Sequence, residues 1–513
     1  MSKTSTISGK AKAIAWLCTL VYFGSYLTRK NFNVMERFIT NDIDSGTFAI
    51  IVSALTITYG IGQVVCGFLG DKLKPRHMLT GGLCLAAFSN IMMSIPVFSD
   101  ITIIRMTLPW ESSASEINII LTLLWAINGF AHSMLWPPIV RIMSQHMNDD
   151  EYGYAAVRVS WGSQFATILL YVGCPVLVAA TNIPWRAVMI ICAVLGVAIA
   201  LVWMMTSKKL LQNPLVSVSE RDKKNLKKIK GVPLPAFFII PLILIFMGII
   251  LQGIMRDGIE LWTPKFISVT FESTIAKLLN LKGEDSPATV ADVVGTALTV
   301  VLAVFGIVFF SVYDFVHRKL LKNEVFCASA IFAVTTALAA ILFGMYVTIG
   351  NSAPSIFRAV IMILLVAIIV ANMHGINLML ITVVPKRFIK SGKVALFSGI
   401  LNACTYIGSA VGFVAFEKLF DIGTKWLIAS WIIVSALGCI VLLVATPIWK
   451  KFRREYSDNH DPEPIEATES SEVTEIVENT DAVEAEADNT AESTDESVTV
   501  GTASTEKGDG ENA

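Results

Sequence analysis

Two stretches of the chain put fixed positive charge where apolar side chains dominate. Arg29 and Lys30 stand within Tyr22–Phe32, and Arg256 within Gly253–Trp262, each deep in a hydrophobic run. A guanidinium near the centre of a bilayer costs about 2.5–3.5 kcal/mol on insertion scales, so it normally faces a protein-lined cavity with a partner or ligand to neutralise it. One such arginine in each half of the chain suggests an anion site. A planar fork of donors fits phosphate oxygens bidentately, and two forks let both halves grip the same group. The competing reading is snorkelling, in which each side chain reaches the outer headgroups, since each lies about 27–32 Å along its helix at about 1.5 Å per residue. Snorkelling applies with more force to Lys30, whose neighbour already takes the cavity-facing direction.

The elements that must position these charges are membrane helices. With 513 residues, 54% of them hydrophobic and 16% charged, the chain is too apolar for one soluble core. Runs near the length of about 20 residues needed to cross the hydrocarbon recur at 11–33, 48–70, 77–97, 117–142, 154–181 and 186–206, and again at 235–268, 290–316, 325–348, 356–383, 394–418 and 426–449. The expected fold is therefore an all-α membrane protein of 12 transmembrane helices in two six-helix halves. The halves are 1–206 and 235–454, joined by a basic cytoplasmic linker over 207–234 and followed by an acidic disordered tail over 455–513.

Charge orients the chain. The proposed inner side holds 25 Lys/Arg and the proposed outer side nine, which puts the N-terminus in the cytoplasm, and an even span count returns the C-terminus there. The net charge of −1 conceals a partition: the tail has 19 Asp/Glu and one Lys, while the preceding 454 residues have 22 acidic and 39 basic. A tail so poor in aromatics cannot bury enough surface to fold. The eight cysteines fall within apolar spans, where they read as small hydrophobes with no metal or CxxC spacing. The N-terminus lacks the pattern of a cleavable signal, and the first span reads as a permanent helix.

A repeat links the halves. Gly67–Arg76 follows the second span and Phe310–Lys319 follows the eighth, each with an Asp (Asp71, Asp314) four or five residues before an Arg (Arg318, Arg76). Internal duplication of this kind is how many transporters build alternating access. Gly67, Asp71, Lys72 and Arg76 resemble the loop motif of the major facilitator superfamily, although the second copy has Phe310 in place of the glycine. More narrowly, Tyr26–Phe32, Asn128–Pro138 and Met255–Pro264 look like the organophosphate:phosphate antiporter family, which includes glycerol 3-phosphate and hexose-phosphate transporters; the resemblance spans about residues 11–449.

That resemblance implies that Arg29 and Arg256 clamp a substrate phosphate near the membrane centre; Lys30, Gln63 and Gln164 are further candidates for the substrate site, and Tyr26, Tyr59 and His132 are weaker ones. Asp71, Lys72, Arg76, Asp314 and Arg318 are implied as gating residues. The sequence departs from the family where relatives place a lysine in the second helix, here Gln63, and a histidine in the fifth, here Ser163 beside Gln164. Weaker candidates are Tyr22, Asn128, His374, Asn377, Asn402 and Tyr406, since a lone polar residue in a bundle is more often interhelical glue. Asp257 and Glu260 are expected to pair with Arg256 or with Lys30.

The expected function is a secondary transporter of the cell membrane that exchanges a small organophosphate for inorganic phosphate. It would work as a monomer in the lipid bilayer, with no cofactor, metal or nucleic acid. A transporter-like sensor of sugar phosphate and a carrier of another small anion are the alternatives. An enzyme is disfavoured because the spans contain no nucleophile–base pair, paired carboxylates or metal-ligand spacing.

Overall fold

The computed structural model describes residues 6–39, 43, 45–95, 114–214, 236–278, 286–349 and 355–457. The chain divides into two units, Met1–Ser457 and Asp458–Ala513. The basic linker beyond residue 214 and the tail beyond residue 457 lie outside the described residues, as does Arg105.

The first unit is helical. Its long segments in chain order are α1 (Gly9–Val34), α2 (Ser45–Lys72), α3 (Pro75–Ser94), α4 (Ala114–Ser133, resumed as Trp136–His146), α5 (Asp149–Ile168, continuing to Thr181) and α6 (Trp185–Leu210). There follow α7 (Ile239–Leu278), α8 (Ser286–Phe315, with a π-helical turn Val316–Leu321), α9 (Glu324–Val347), α10 (Ile356–Asn377, with a π-helical turn Leu378–Val383), α11 (Val394–Ile422) and α12 (Thr424–Phe452). Ten of these segments are long and apolar enough to cross a membrane. The others are α1, diluted by its lysines, Arg29 and tyrosines, and α3, the shortest of the set.

Local chemistry sets the ends. Ser8 caps α1 through the Ala11 amide, and Asn148 and Glu151 form a reciprocal capping box at the start of α5. Asn323 caps α9 through two amides, and Ser355 caps α10. The span expected at 117–142 is broken at Met134 and Leu135 and restarts at Trp136, because Pro137 and Pro138 have no N–H to give the preceding turn and suit a first helical turn. The cysteines are all free; Cys84 is exposed on the helix surface, so it does not pack in the core, while the half-buried Cys439 packs against that core.

The halves meet chiefly along two helix pairs, α2 with α11 and α5 with α8, and the Trp136–His146 part of α4 also packs on α11. The α2/α11 seam is antiparallel: Tyr59 meets Tyr406, Gln63 meets Gly399 and Gly67 meets Ala395. Backbones touch there, since a Cβ at Gly399 would fall 2.2 Å from the Gln63 carbonyl oxygen. Within the second half, α7 and α11 cross as closely, and a Cβ at Gly408 would fall 2.0 Å from the Ile250 carbonyl oxygen.

Candidate functional site

Arg29 points between the halves. Its Nη2 donates to the Tyr406 hydroxyl at 3.0 Å, and its guanidinium lies 4.1 Å from the centre of the Tyr59 ring. The rings of Tyr406 and Tyr26 stand farther off, at 5.5 and 5.8 Å. Aromatic faces attract a desolvated cation by up to about 2 kcal/mol, so the tyrosines hold this charge without neutralising it. Asn402 of α11 donates to the Tyr59 hydroxyl at 3.2 Å, fixing that ring from the opposite half.

Arg256 reaches the same place from α7. Its guanidinium lies 5.9 Å from the Tyr406 ring centre, so two arginines from opposite halves converge on one phenol. Asp257 grips it through two contacts, Nε to Oδ1 at 2.5 Å and Nη2 to Oδ2 at 2.8 Å, while Nη1 donates to Asn377 at 3.2 Å. Lys30 pairs across the halves with Glu260 at 3.5 Å. Their side chains are 27% and 33% exposed, so the site is not sealed around them. Both arginines end on side chains of the helix bundle.

The remaining expected contacts are less uniform. Tyr26 accepts from the Tyr22 hydroxyl at 3.4 Å, and Tyr22 packs on Trp136. Gln63 is fully buried, and neither of its amide atoms has a partner among the described residues. His132 is buried too, with Nδ1 3.1 Å from Ser25 Oγ and Nε2 unpartnered. Gln164 lies against Gly306 of α8 on the other contact between halves. The described residues contain no group of side chains able to hold a metal ion.

The gating candidates separate into two kinds. Asp71 accepts from the Ala395 and Leu396 amides, each at 2.9 Å, and so caps the start of α11 from across the halves. Those amides have no helical acceptor of their own, and the helix dipole adds to the attraction. Arg318 pairs with Asp314 at 2.5 Å within its helix and approaches Asp150 of α5 at 3.7 Å. Lys72 and Arg76 instead turn to their own half, Lys72 over the Phe68 ring and Arg76 to the Met204 carbonyl.

Further cross-half contacts close the same end, which also carries Ser8 and Arg453. Lys386 pairs with Asp149, and the Tyr152 hydroxyl donates to the Thr382 carbonyl at 2.5 Å. Sequence reading missed these residues because nothing in the spacing of a lysine after Pro385 or an acidic first turn in α5 reveals a partner in the other half. It also missed Ser409, whose hydroxyl donates to Asp257 at 2.5 Å, and Arg141, which donates to the Gly70 and Leu73 carbonyls at the end of α2.

Comparison with known proteins agrees with this architecture. A profile described as Major Facilitator Superfamily matches residues 18–413. The chain is 30% identical over 187 residues to a probable hexose phosphate transport protein of Chlamydia trachomatis, covering 34% of this chain and 36% of that one. It is 31% identical over 133 residues to a glycerol-3-phosphate transporter of Bacillus subtilis, covering 26% of this chain and 27% of that one. The matched stretches thus span about a third of those relatives' length or less. In fold, the chain is similar to a major facilitator proton:xylose symporter, with TM-score 0.59, 12% identity, and 87% and 96% of the two chains covered. A profile match over most of its length, on a bundle with these helices, means that the chain belongs to the Major Facilitator Superfamily, a family of membrane transporters, and is a multi-pass membrane protein.

Proposed function

We propose that the protein is a secondary transporter that moves a small phosphorylated organic anion, of the sugar phosphate or glycerol phosphate type, in exchange for inorganic phosphate. The observation that carries this reading is the convergence of Arg29 and Arg256, one from each half, on Tyr406. A phosphate entering there meets two guanidinium forks on opposite sides of the seam, and its oxygens can accept from both at once. The likeness to proteins named for hexose phosphate and glycerol-3-phosphate transport supports the phosphoryl group as the shared feature of the substrate.

Alternating access follows from where the contacts lie. Asp71, Asp149, Asp150 and Lys386 hold one end of the bundle shut, while the substrate site sits between the same two halves. A ligand gripped from both sides draws the halves together around itself and so favours release of the shut end. An empty site lacks that bridge, which makes exchange the favoured mode.

The test is counterflow. Purified protein in liposomes loaded with unlabelled phosphate should accumulate labelled phosphate, and sugar phosphates or glycerol phosphate in the outer solution should compete. Labelled phosphate entering no faster than into empty liposomes would sink the reading.

A further inference from the structure

Asp257 has no part in gripping a phosphate, yet it holds the donors a phosphate would need. Its two oxygens occupy the Nε and Nη2 donors of Arg256, and Ser409 of α11 donates to Oδ2. Successive residues on a helix point about 100° apart, so nothing in helical geometry brings these two together. The carboxylate bends back to the guanidinium as the nearest charge able to neutralise it. Among the described residues Arg29 has no such partner: a phenol hydroxyl and ring faces surround it.

Facing the Arg256–Asp257 pair are Tyr26 from α1, His374 and Asn377 from α10, and Tyr406 and Ser409 from α11; Lys30 and Glu260 in turn approach His374, and Arg29 reaches Tyr406. Among these side chains, Arg256 is paired with Asp257 and Lys30 with Glu260, and Arg29 is the cation left without a carboxylate. A singly charged ligand neutralises that cation. A doubly charged one brings a second negative charge beside the Asp257 carboxylate, which like-charge repulsion disfavours.

Resting on the phosphate reading above, we infer that Asp257 is a specificity-determining residue: a tethered anion that occupies Arg256 until the substrate displaces it, so that the site prefers the singly charged form of a phosphate over the doubly charged form. The carboxylate stays close after displacement, hydrogen-bonded to Ser409, and repels a second negative charge. The distinction matters at ordinary pH, because a phosphomonoester gives up its second proton at about pH 6 and inorganic phosphate does so near neutrality.

The experiment is equilibrium binding of radiolabelled inorganic phosphate to the purified full-length protein from about pH 5.5 to 8.5, for the parent, Asp257→Asn and His374→Gln. The parent should lose affinity for total phosphate by about tenfold per pH unit above the second ionisation of phosphate, following the singly charged fraction. Asp257→Asn should lose that fall and bind phosphate at least about tenfold more tightly than the parent at the alkaline end, while His374→Gln should keep it. Identical pH profiles for the parent and Asp257→Asn, or weaker binding by Asp257→Asn throughout, would overturn the assignment. So would disappearance of the fall in His374→Gln, which would place the titration on the histidine. Absence of phosphate binding by all three proteins, each still melting cooperatively, would overturn the phosphate reading itself and the role of Asp257 with it.

Discussion

A lysine in place of either Arg29 or Arg256 keeps the positive charge and loses the fork. Each loss of a charged hydrogen bond is worth about 1.5–3 kcal/mol, so Arg29→Lys and Arg256→Lys should each weaken phosphate binding by roughly ten- to a hundredfold or more. The double replacement should fall well short of additive if both arginines hold one phosphate. Titration of the purified variants with phosphate checks both expectations, and affinities within about twofold of the parent would place the binding site elsewhere. At this scale the sequence carried much of the site, because a guanidinium in an apolar run is conspicuous. It did not carry Tyr406, which stood only among the weaker candidates and is the phenol both arginines approach. Nor did it choose between Asp257 and Glu260 as the partner of Arg256, since that depends on side-chain directions that spacing leaves open.

The latch between Asp71 and α11 belongs to the scale of elements. Its carboxylate accepts from two amides at a helix start in the opposite half. Asp71→Asn removes the charge that the helix dipole favours, a contribution of about 0.3–1 kcal/mol and up to about 2 in partly buried geometry. It should slow return to the form shut at this end by up to about tenfold while leaving ligand affinity nearly unchanged. Exchange rates and phosphate affinities measured on the same preparation separate the two, and an equal fall in both would count against a latch. The helices themselves were legible, because apolar runs of membrane length leave few alternatives. The break in α4 was less so: Trp136–His146 continues the span after an interruption that hydropathy averages away. The latch was visible as a motif, but its partner lies 324 residues away.

Over the whole molecule, closure of one end is the sum of several small terms rather than one bond. Lys386 with Asp149 and Arg318 with Asp150 are partly exposed ion pairs, each worth at most about 1 kcal/mol. Removing both through Lys386→Ala and Arg318→Ala should shift the balance between the two access states by about five- to thirtyfold. Spin labels at Lys74 and Lys319, exposed positions in opposite halves at this end, should then report a longer mean distance. An unchanged distance distribution would mean that the end is held by helix packing and by the Asp71 and Tyr152 hydrogen bonds rather than by these ion pairs. No span count or charge asymmetry could have ranked these forces, because every one of them joins residues that the sequence keeps far apart.

The seam between α2 and α11 has its tightest point between its two polar contacts. Asp71 holds one end and the Tyr59–Tyr406 contact lies toward the other, while at Gly399 and Gly67 the two backbones already touch. Two rods rocking against each other can part at either end, but they cannot press closer where nothing separates them. That point is the expected fulcrum, with the Asp71 contact and the candidate site on opposite arms of one lever. Gly399→Ala should therefore prise the arms apart, slowing exchange by tenfold or more (about 1.4 kcal/mol on the barrier) even though the residue touches neither arginine. Counterflow by that variant at the parental rate would move the fulcrum elsewhere.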